Sequence, residues 1–157
     1  MIPAAARARF LQAIEAELDS LRRFRELLQR EQTLLIDGDT DALMSLTTRK
    51  SELHQQLQRQ HDALSLLLGE HGITPSAEAI RALCDGLPGA LARWDEILET
   101  GAEVRALNDI NGKLITERMQ NNQAALSVLL SAADQPALHD AGGAAPPTGR
   151  GRHLGSA

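Results

Sequence analysis

The chain has 157 residues, 43% of them hydrophobic and 24% charged, which is the size and composition of one modest globular domain. Aromatic residues make up only 2%, so the core is built from Leu, Ile, Val, Ala and Met, which is typical of helices and disfavours a β-sandwich or a β-barrel. The net charge of -5 disfavours nucleic acid as a partner, and the single cysteine excludes a disulfide framework within the chain and indicates a reducing compartment.

Two long helices are predicted first. The first spans residues 4–37, which contain no Gly or Pro and place apolar residues alternately three and four positions apart. Further apolar residues such as Phe10 and Phe24 widen this stripe, which favours a bundle over a two-stranded coiled coil. A turn is predicted at residues 37–40 (Asp-Gly-Asp-Thr), and a second helix at residues 41–68 returns antiparallel to the first.

Two more helices and a tail complete the predicted architecture. Thr74 and Pro75 are typical of an N-cap and a first helical position, so a short helix is expected from there to Cys84. A long helix is predicted for residues 88–131, and the Gly- and Pro-rich composition of residues 132–157 predicts a flexible tail. The expected fold is all-α: an antiparallel hairpin and a long C-terminal helix form an elongated three- to four-helix bundle, with residues 1–131 as the domain.

The long last helix carries the most informative pattern. On a helical wheel at 100° per residue, one stripe contains Trp94, Ile97, Gly101, Val104, Asn108, Asn111, Ile115, Met119, Asn122, Leu126, Leu129 and Leu130. Leu107, Leu114 and Ala125 flank this stripe, so the C-terminal half is apolar over a wider arc than one neighbouring helix covers. Two interpretations stay open. In the first, the stripe is bundle core, and Asn122 together with the polar seam of Asn108 and Asn111 fixes the register. In the second, it is an open groove that accepts a helix of another protein.

No catalytic or metal-binding arrangement is predicted. None of the five histidines has an acidic residue three positions earlier, and the surroundings of Cys84 predict a packed residue rather than a nucleophile. Arg22, Arg23 and Arg25 are interspersed with acidic residues, which predicts a solvated helix face. No cofactor loop and no stretch of the roughly 20 apolar residues that cross a bilayer is present, so we expect a binding protein without cofactor or membrane insertion.

Residues 107–130 resemble the C-terminal signature of the FlgN family of flagellar export chaperones. This resemblance is carried by Asn108, Asn111-Gly112, Leu114-Ile115, Arg118, Asn122-Gln123, Ala125-Leu126 and Leu129. The N-terminal half is also similar to that family, through Leu34-Leu35, Asp39, Leu43, Leu46, Lys50, Leu53 and Leu57. Together the two parts cover roughly residues 10 to 130.

The resemblance implies a cytoplasmic protein that is not an enzyme. Such a protein holds hook-associated flagellar proteins by their C-terminal segment before their export through the flagellar type III export apparatus. The client-binding residues that it implies are Leu114, Ile115, Arg118, Met119, Asn122, Leu126, Leu129 and Leu130, with Arg118 as a polar anchor at the rim. The competing hypotheses are a helical bundle that associates with itself as a scaffold, and a helical enzyme or metal protein.

Overall fold

The computed structural model describes the backbone of residues 2–140 and the side chains of residues 2–133. Within this part of the chain there are four helices and no strand: α1 (Ala4–Asp37), α2 (Thr40–Glu70), α3 (Ala77–Asp85) and α4 (Ala90–Asp140). The all-α bundle predicted from the sequence is therefore confirmed. The described part of the chain divides into two compact units, with the boundary between Leu114 and Ile115, and α4 contributes residues to both.

The turn between α1 and α2 has the geometry that its sequence predicts. Gly38 adopts a left-handed conformation with φ of 76°, and its N–H donates to the carbonyl oxygen of Leu34 at 2.9 Å. Asp39 caps α2, because its carboxylate accepts a hydrogen bond from the backbone N–H of Ala42 at 3.1 Å. These contacts end α1 and begin α2 within two residues, so the helices form a tight hairpin.

Gly38→Ala should lower the free energy of unfolding by about 1 kcal/mol, because a Cβ is strained in the left-handed region. Urea unfolding followed by circular dichroism measures this change. Gly69→Ala is the matched control, since Gly69 lies inside α2 and a Cβ added there would meet no neighbouring atom within 4 Å. The control should be neutral or slightly stabilising; an equal loss in both variants would contradict the role given to the turn.

The short helix α3 begins later than the sequence predicts. Its N-cap is Ser76, whose side-chain oxygen accepts from the backbone N–H of Ala79 at 3.1 Å. Thr74 and Pro75 lie in the preceding loop, so their predicted roles as N-cap and first helical residue are wrong. Serine is among the most favourable N-cap residues, and the extended backbone of Ser76 points its hydroxyl at the free amides of the first turn.

The main hydrophobic core of the first unit joins all four helices. Its buried members are Phe10, Ile14 and Leu18 from α1; Leu64, Leu67 and Leu68 from α2; Ile80 and Cys84 from α3; and Ala90, Trp94 and Ile97 from α4. Cys84 is fully buried in this cluster, which confirms that it is a packed residue. A second cluster of Leu27, Leu34 and Leu46 joins α1 to α2 near the hairpin turn.

Ion pairs connect α1 to α4 along the outside of this core. Arg25 contacts Glu103 at 3.0 Å, Glu15 contacts Arg93 at 3.0 Å, and Arg22 contacts Glu96. The prediction of a solvated arginine face is confirmed for Arg22 and Arg23, which are exposed, whereas Arg25 is half-buried in its ion pair with Glu103. The acidic residues of α4 explain the difference, because they lie opposite the basic residues of α1.

Both ends of α4 differ from their predicted positions. The helix begins at Ala90 rather than Pro88, because Gly89 has a φ of 74°, which is outside the helical region. It continues past Ser131 to Asp140, and Ala132 and Ala133 favour this continuation as strong helix formers. The predicted flexible tail, residues 132–157, thus begins inside α4, and its part from residue 141 onward lies outside the described residues.

Candidate binding surface

The second unit presents an exposed apolar helix surface. Every side chain from Met119 to Ala133 is exposed. Large apolar groups are among them: Leu126 is 57% exposed and Leu129 is 67% exposed. Since contiguous exposed apolar surface on a protein marks an interaction site, this part of α4 is the candidate binding surface.

The sequence-predicted site residues fall into two groups. Ile115, Met119, Asn122, Leu126, Leu129 and Leu130 are all exposed. At 100° per residue these six lie within an arc of about 100°, so they share one face of the helix. Leu114 and Arg118 are half-buried. The structure therefore places most of the predicted residues together on an accessible face, and two of them at its edge.

This surface carries no formal charge over most of its length. Residues 119–133 include no Asp, Glu, Lys or Arg, and Glu117 and Arg118 stand before the start of this stretch. A charged side chain buried against this stretch would lose its hydration without gaining an ionic partner, which is costly. The arrangement therefore suits an apolar, uncharged partner surface.

Asn111 lies in a buried polar network that joins three helices. Its side chain is 1% exposed, and its Nδ2 donates to the carbonyl oxygen of Leu28 at 2.9 Å and to Oε1 of Glu31 at 2.8 Å. Lys50 of α2 donates to both carboxylate oxygens of Glu31, at 3.1 and 3.2 Å. This network holds α4 against the hairpin of α1 and α2 in the first unit.

Asn108 is exposed, so the prediction that it belongs to a polar seam with Asn111 is wrong. The physical reason is the period of the packed row on α4. Its buried and half-buried members are Ala90, Trp94, Ile97, Thr100, Gly101, Val104, Leu107, Asn111, Leu114 and Arg118. With Thr100 and Gly101 counted as one step, these residues recur on average every 3.5 positions, and the row passes from Val104 to Leu107 and then to Asn111, which leaves Asn108 outside it.

Val128 is an exposed apolar residue that the sequence analysis did not select. It is 67% exposed, as is Leu129. The 3.5-residue spacing that passes through Leu114 and Arg118 reaches Asn121, Ala125, Val128 and Ala132 when it is continued. A heptad pattern, rather than a fixed wheel, would therefore have selected Val128.

A groove lies between α1 and α2. It has a volume of about 920 Å³, and Arg23, Glu26, Arg30, Arg49 and Glu52 are among its lining residues. Three arginines and two glutamates surround the buried Leu27 and Leu46 and the half-buried Leu53, so its rim is highly charged. This groove matches an uncharged apolar partner less well than the surface at residues 119–133.

Glu17 is a partly buried carboxyl group in the interface between α1 and α2. Its Oε2 is buried and has no hydrogen-bond partner among the described residues. Burial raises the pKa of Glu17, and the nearby His61 opposes this increase. The folded chain therefore binds the Glu17 proton more tightly than the unfolded chain does.

Glu17→Gln should make the protein more stable than the unmodified chain near neutral pH. A carboxyl group whose pKa is raised by folding lowers the stability once the pH exceeds its pKa in the unfolded chain, because the unfolded chain then ionises more readily. This loss grows until the pH passes the pKa of the group in the folded chain. The advantage of the variant should shrink toward about pH 4, where both states are largely protonated. Urea unfolding across this range measures the difference, and an advantage that is independent of pH would contradict the assignment.

The described part of the chain shows neither a metal centre nor a membrane span. No group of three or more His, Cys, Asp or Glu residues in it is placed to hold a metal ion. Among the same residues, no helix has the length and apolar character required to cross a bilayer. The exposed face of α4 is thus the feature from which a function is argued.

The described residues thus form an all-α bundle whose last helix exposes an uncharged apolar face. The family model described as FlgN protein matches residues 1–147, so the chain belongs to the FlgN family, and the resemblance seen in the sequence is confirmed. This is a family of flagellar export chaperones and not a family of enzymes. No curated protein and no solved structure matches the chain.

Proposed function

We propose that this chain is a cytoplasmic export chaperone for hook-associated flagellar proteins. It binds the C-terminal helical segment of a client through the face of α4 that contains Ile115, Met119, Leu126, Leu129 and Leu130. It keeps the client from premature assembly or degradation and delivers it to the flagellar type III export apparatus. The observation that carries this proposal is the exposed, uncharged apolar face of α4 in a chain of the FlgN family.

The chemistry of the client explains why such a face is needed. A subunit whose terminal helix pairs with its neighbours after assembly exposes an apolar stripe while it is still a monomer. That stripe favours premature association and attack by proteases. An amphipathic helix of this kind packs its apolar residues against a complementary apolar face, at spacings of three and four residues.

The size of the face is consistent with reversible binding. The face through Leu126 presents on the order of 500 Å² of apolar area, which corresponds to about 12 kcal/mol of gross hydrophobic free energy. Loss of translational freedom and ordering of side chains remove a large part of this gain. We therefore expect micromolar or somewhat tighter affinity, which allows the client to leave at the export apparatus.

Isothermal titration of the full chain with C-terminal fragments of the hook-associated proteins of the same genome tests this function. Saturable heat at a ratio of one fragment to one chain is the expected result. The matched control is the same client without its C-terminal helical segment, which should give no heat. Absence of binding with every fragment, while circular dichroism shows a folded helical chain, would contradict the proposed function.

A further inference from the structure

Within the first unit, α4 is held against the other helices by two kinds of contact. Its anchor segment (residues 90–97) contributes three buried apolar residues to the main hydrophobic core: Ala90, Trp94 and Ile97. Its latch segment (residues 98–114) has two buried residues, and both are polar: Thr100 and Asn111. The apolar residues of the latch segment are at most half-buried and belong to neither hydrophobic cluster.

Polar contacts attach the latch segment to α1. Glu103 forms an ion pair with Arg25 at 3.0 Å, and both side chains remain partly exposed to solvent. An ion pair of this kind contributes little to stability, because water and salt screen it. The buried contact is polar as well, since Asn111 donates hydrogen bonds to the carbonyl oxygen of Leu28 and to Glu31.

The layer at Asn111 also contains an unfavourable feature. Its Oδ1 is buried and has no hydrogen-bond partner among the described residues. A buried acceptor without a donor has lost its hydration for no gain, and it recovers that hydration when the layer opens to water. Opening the latch segment therefore exposes little buried apolar surface of α4 and relieves one unpaired oxygen, whereas opening the anchor segment exposes Trp94 and Ile97.

We propose that the latch segment opens from α1 while the anchor segment stays packed in the core. The opened chain exposes Leu28 of α1, which is 0% exposed in the closed chain, and gives water access to the network around Glu31. This local opening requires less free energy than global unfolding, because the main hydrophobic core remains intact. The inference does not rest on the proposed function, since it concerns contacts within the first unit.

Thiol labelling of the full chain tests this opening, and Cys84 provides the internal reference. Cys84 is the single cysteine of the chain and is fully buried in the main core, so its labelling reports the opening of that core. Leu28→Cys adds a thiol beneath the latch segment. With each rate divided by that of the same thiol in the urea-unfolded chain, the introduced thiol should be labelled at least about tenfold faster than Cys84.

Leu68→Cys is the matched control, because Leu68 is 1% exposed and belongs to the main core. Its thiol should be labelled at the rate of Cys84. Labelling of Leu68→Cys as fast as that of Leu28→Cys would overturn the proposal. So would labelling of Leu28→Cys at the rate of Cys84, since α4 would then open only together with the core.

Two further variants, made in the Leu28→Cys background, test what holds the latch segment closed. Arg25→Met keeps most of the apolar side chain but removes the ion pair with Glu103, so it should accelerate labelling by about twofold or more. Arg22→Met is the matched control, because it removes the ion pair with Glu96 of the anchor segment, and it should leave the labelling rate unchanged. Equal acceleration by both variants would contradict the boundary between the two segments.

Hydrogen exchange of the unmodified chain gives an independent result without any substitution. Backbone amides of residues 98–114 should exchange at least about tenfold faster than those of residues 64–68, because a short helix is only marginally stable once its packing is lost. Residues 64–68 are the suitable reference, since Leu64, Leu67 and Leu68 belong to the main core. Equal protection of the two segments would overturn the proposal.

Discussion

Leu126→Asp should reduce client binding by at least about tenfold and leave the helix content unchanged. Leu126 is 57% exposed in the unbound chain, so the substitution removes little packing within the chain itself. In the complex, the carboxylate would be buried against an apolar helix without a partner, which is costly. Isothermal titration gives the affinity, and circular dichroism gives the helix content.

Gln120→Asp is the control for this substitution. Gln120 is exposed on the same helix but on its polar side, about 120° from Leu126, so it should tolerate a carboxylate in the complex. If both variants bind equally well, the Leu126 face is not the client-binding surface. If Leu126→Asp instead loses its helix content, Leu126 contributes to the core, and the bundle-core interpretation of the sequence is the correct one.

Glu31→Ala should lower the free energy of unfolding by about 2 kcal/mol. Glu31 is 5% exposed and accepts hydrogen bonds from Lys50 of α2 and Asn111 of α4. Its loss leaves the Lys50 ammonium without this acceptor and leaves the Asn111 amide with the carbonyl oxygen of Leu28 alone. The side chain of Lys50 is 27% exposed, and access to water limits the penalty. Urea unfolding measures this change.

Glu26→Ala provides the matched comparison, since Glu26 lies on the same helix and is exposed. This control should change the stability by no more than about 0.5 kcal/mol. Equal stability of Glu31→Ala and Glu26→Ala would contradict the role of the buried network. The network belongs to the first unit. We therefore expect Glu31→Ala to weaken client binding through residues 119–133 only by lowering the fraction of folded chains.

Local chemistry explains why much of the fold is predictable from the sequence. The absence of Gly and Pro in residues 4–37 and the turn sequence around Gly38 define α1 and the start of α2, because backbone conformation at these positions depends on neighbouring residues. The start of α3 is harder to predict, since Thr74 and Ser76 are both good N-caps and only the surrounding loop selects between them.

Tertiary register explains what the sequence did not reveal. The prediction for Asn108 is wrong because the packed row on α4 passes through Leu107 at that turn, and only the packing against α1 and α2 selects between these two neighbours. Val128 is different, since a heptad pattern in the sequence reaches it. Burial of Glu31 is likewise a property of the assembled bundle, since its partners lie on two other helices. The same holds for the pairing of Arg25 with Glu103.

The candidate surface itself is predictable as a set of apolar residues, but not as an exposed one. From the sequence, residues such as Leu126 and Leu129 could belong to the bundle core or to an open binding groove, because the spacing of apolar residues is the same in both cases. Exposure of these side chains in the structure favours a binding surface. Membership in the FlgN family favours a flagellar client as its occupant.

Hydrogen exchange of the backbone amides, measured with and without an intact hook-associated protein, tests the location of the client most directly. Binding to the exposed face of α4 should slow exchange in residues 115–133, because covering this segment suppresses its local opening. The α1–α2 groove around Arg30 and Arg49 should be unchanged. Slower exchange confined to that groove, with residues 115–133 unaffected, would contradict the account.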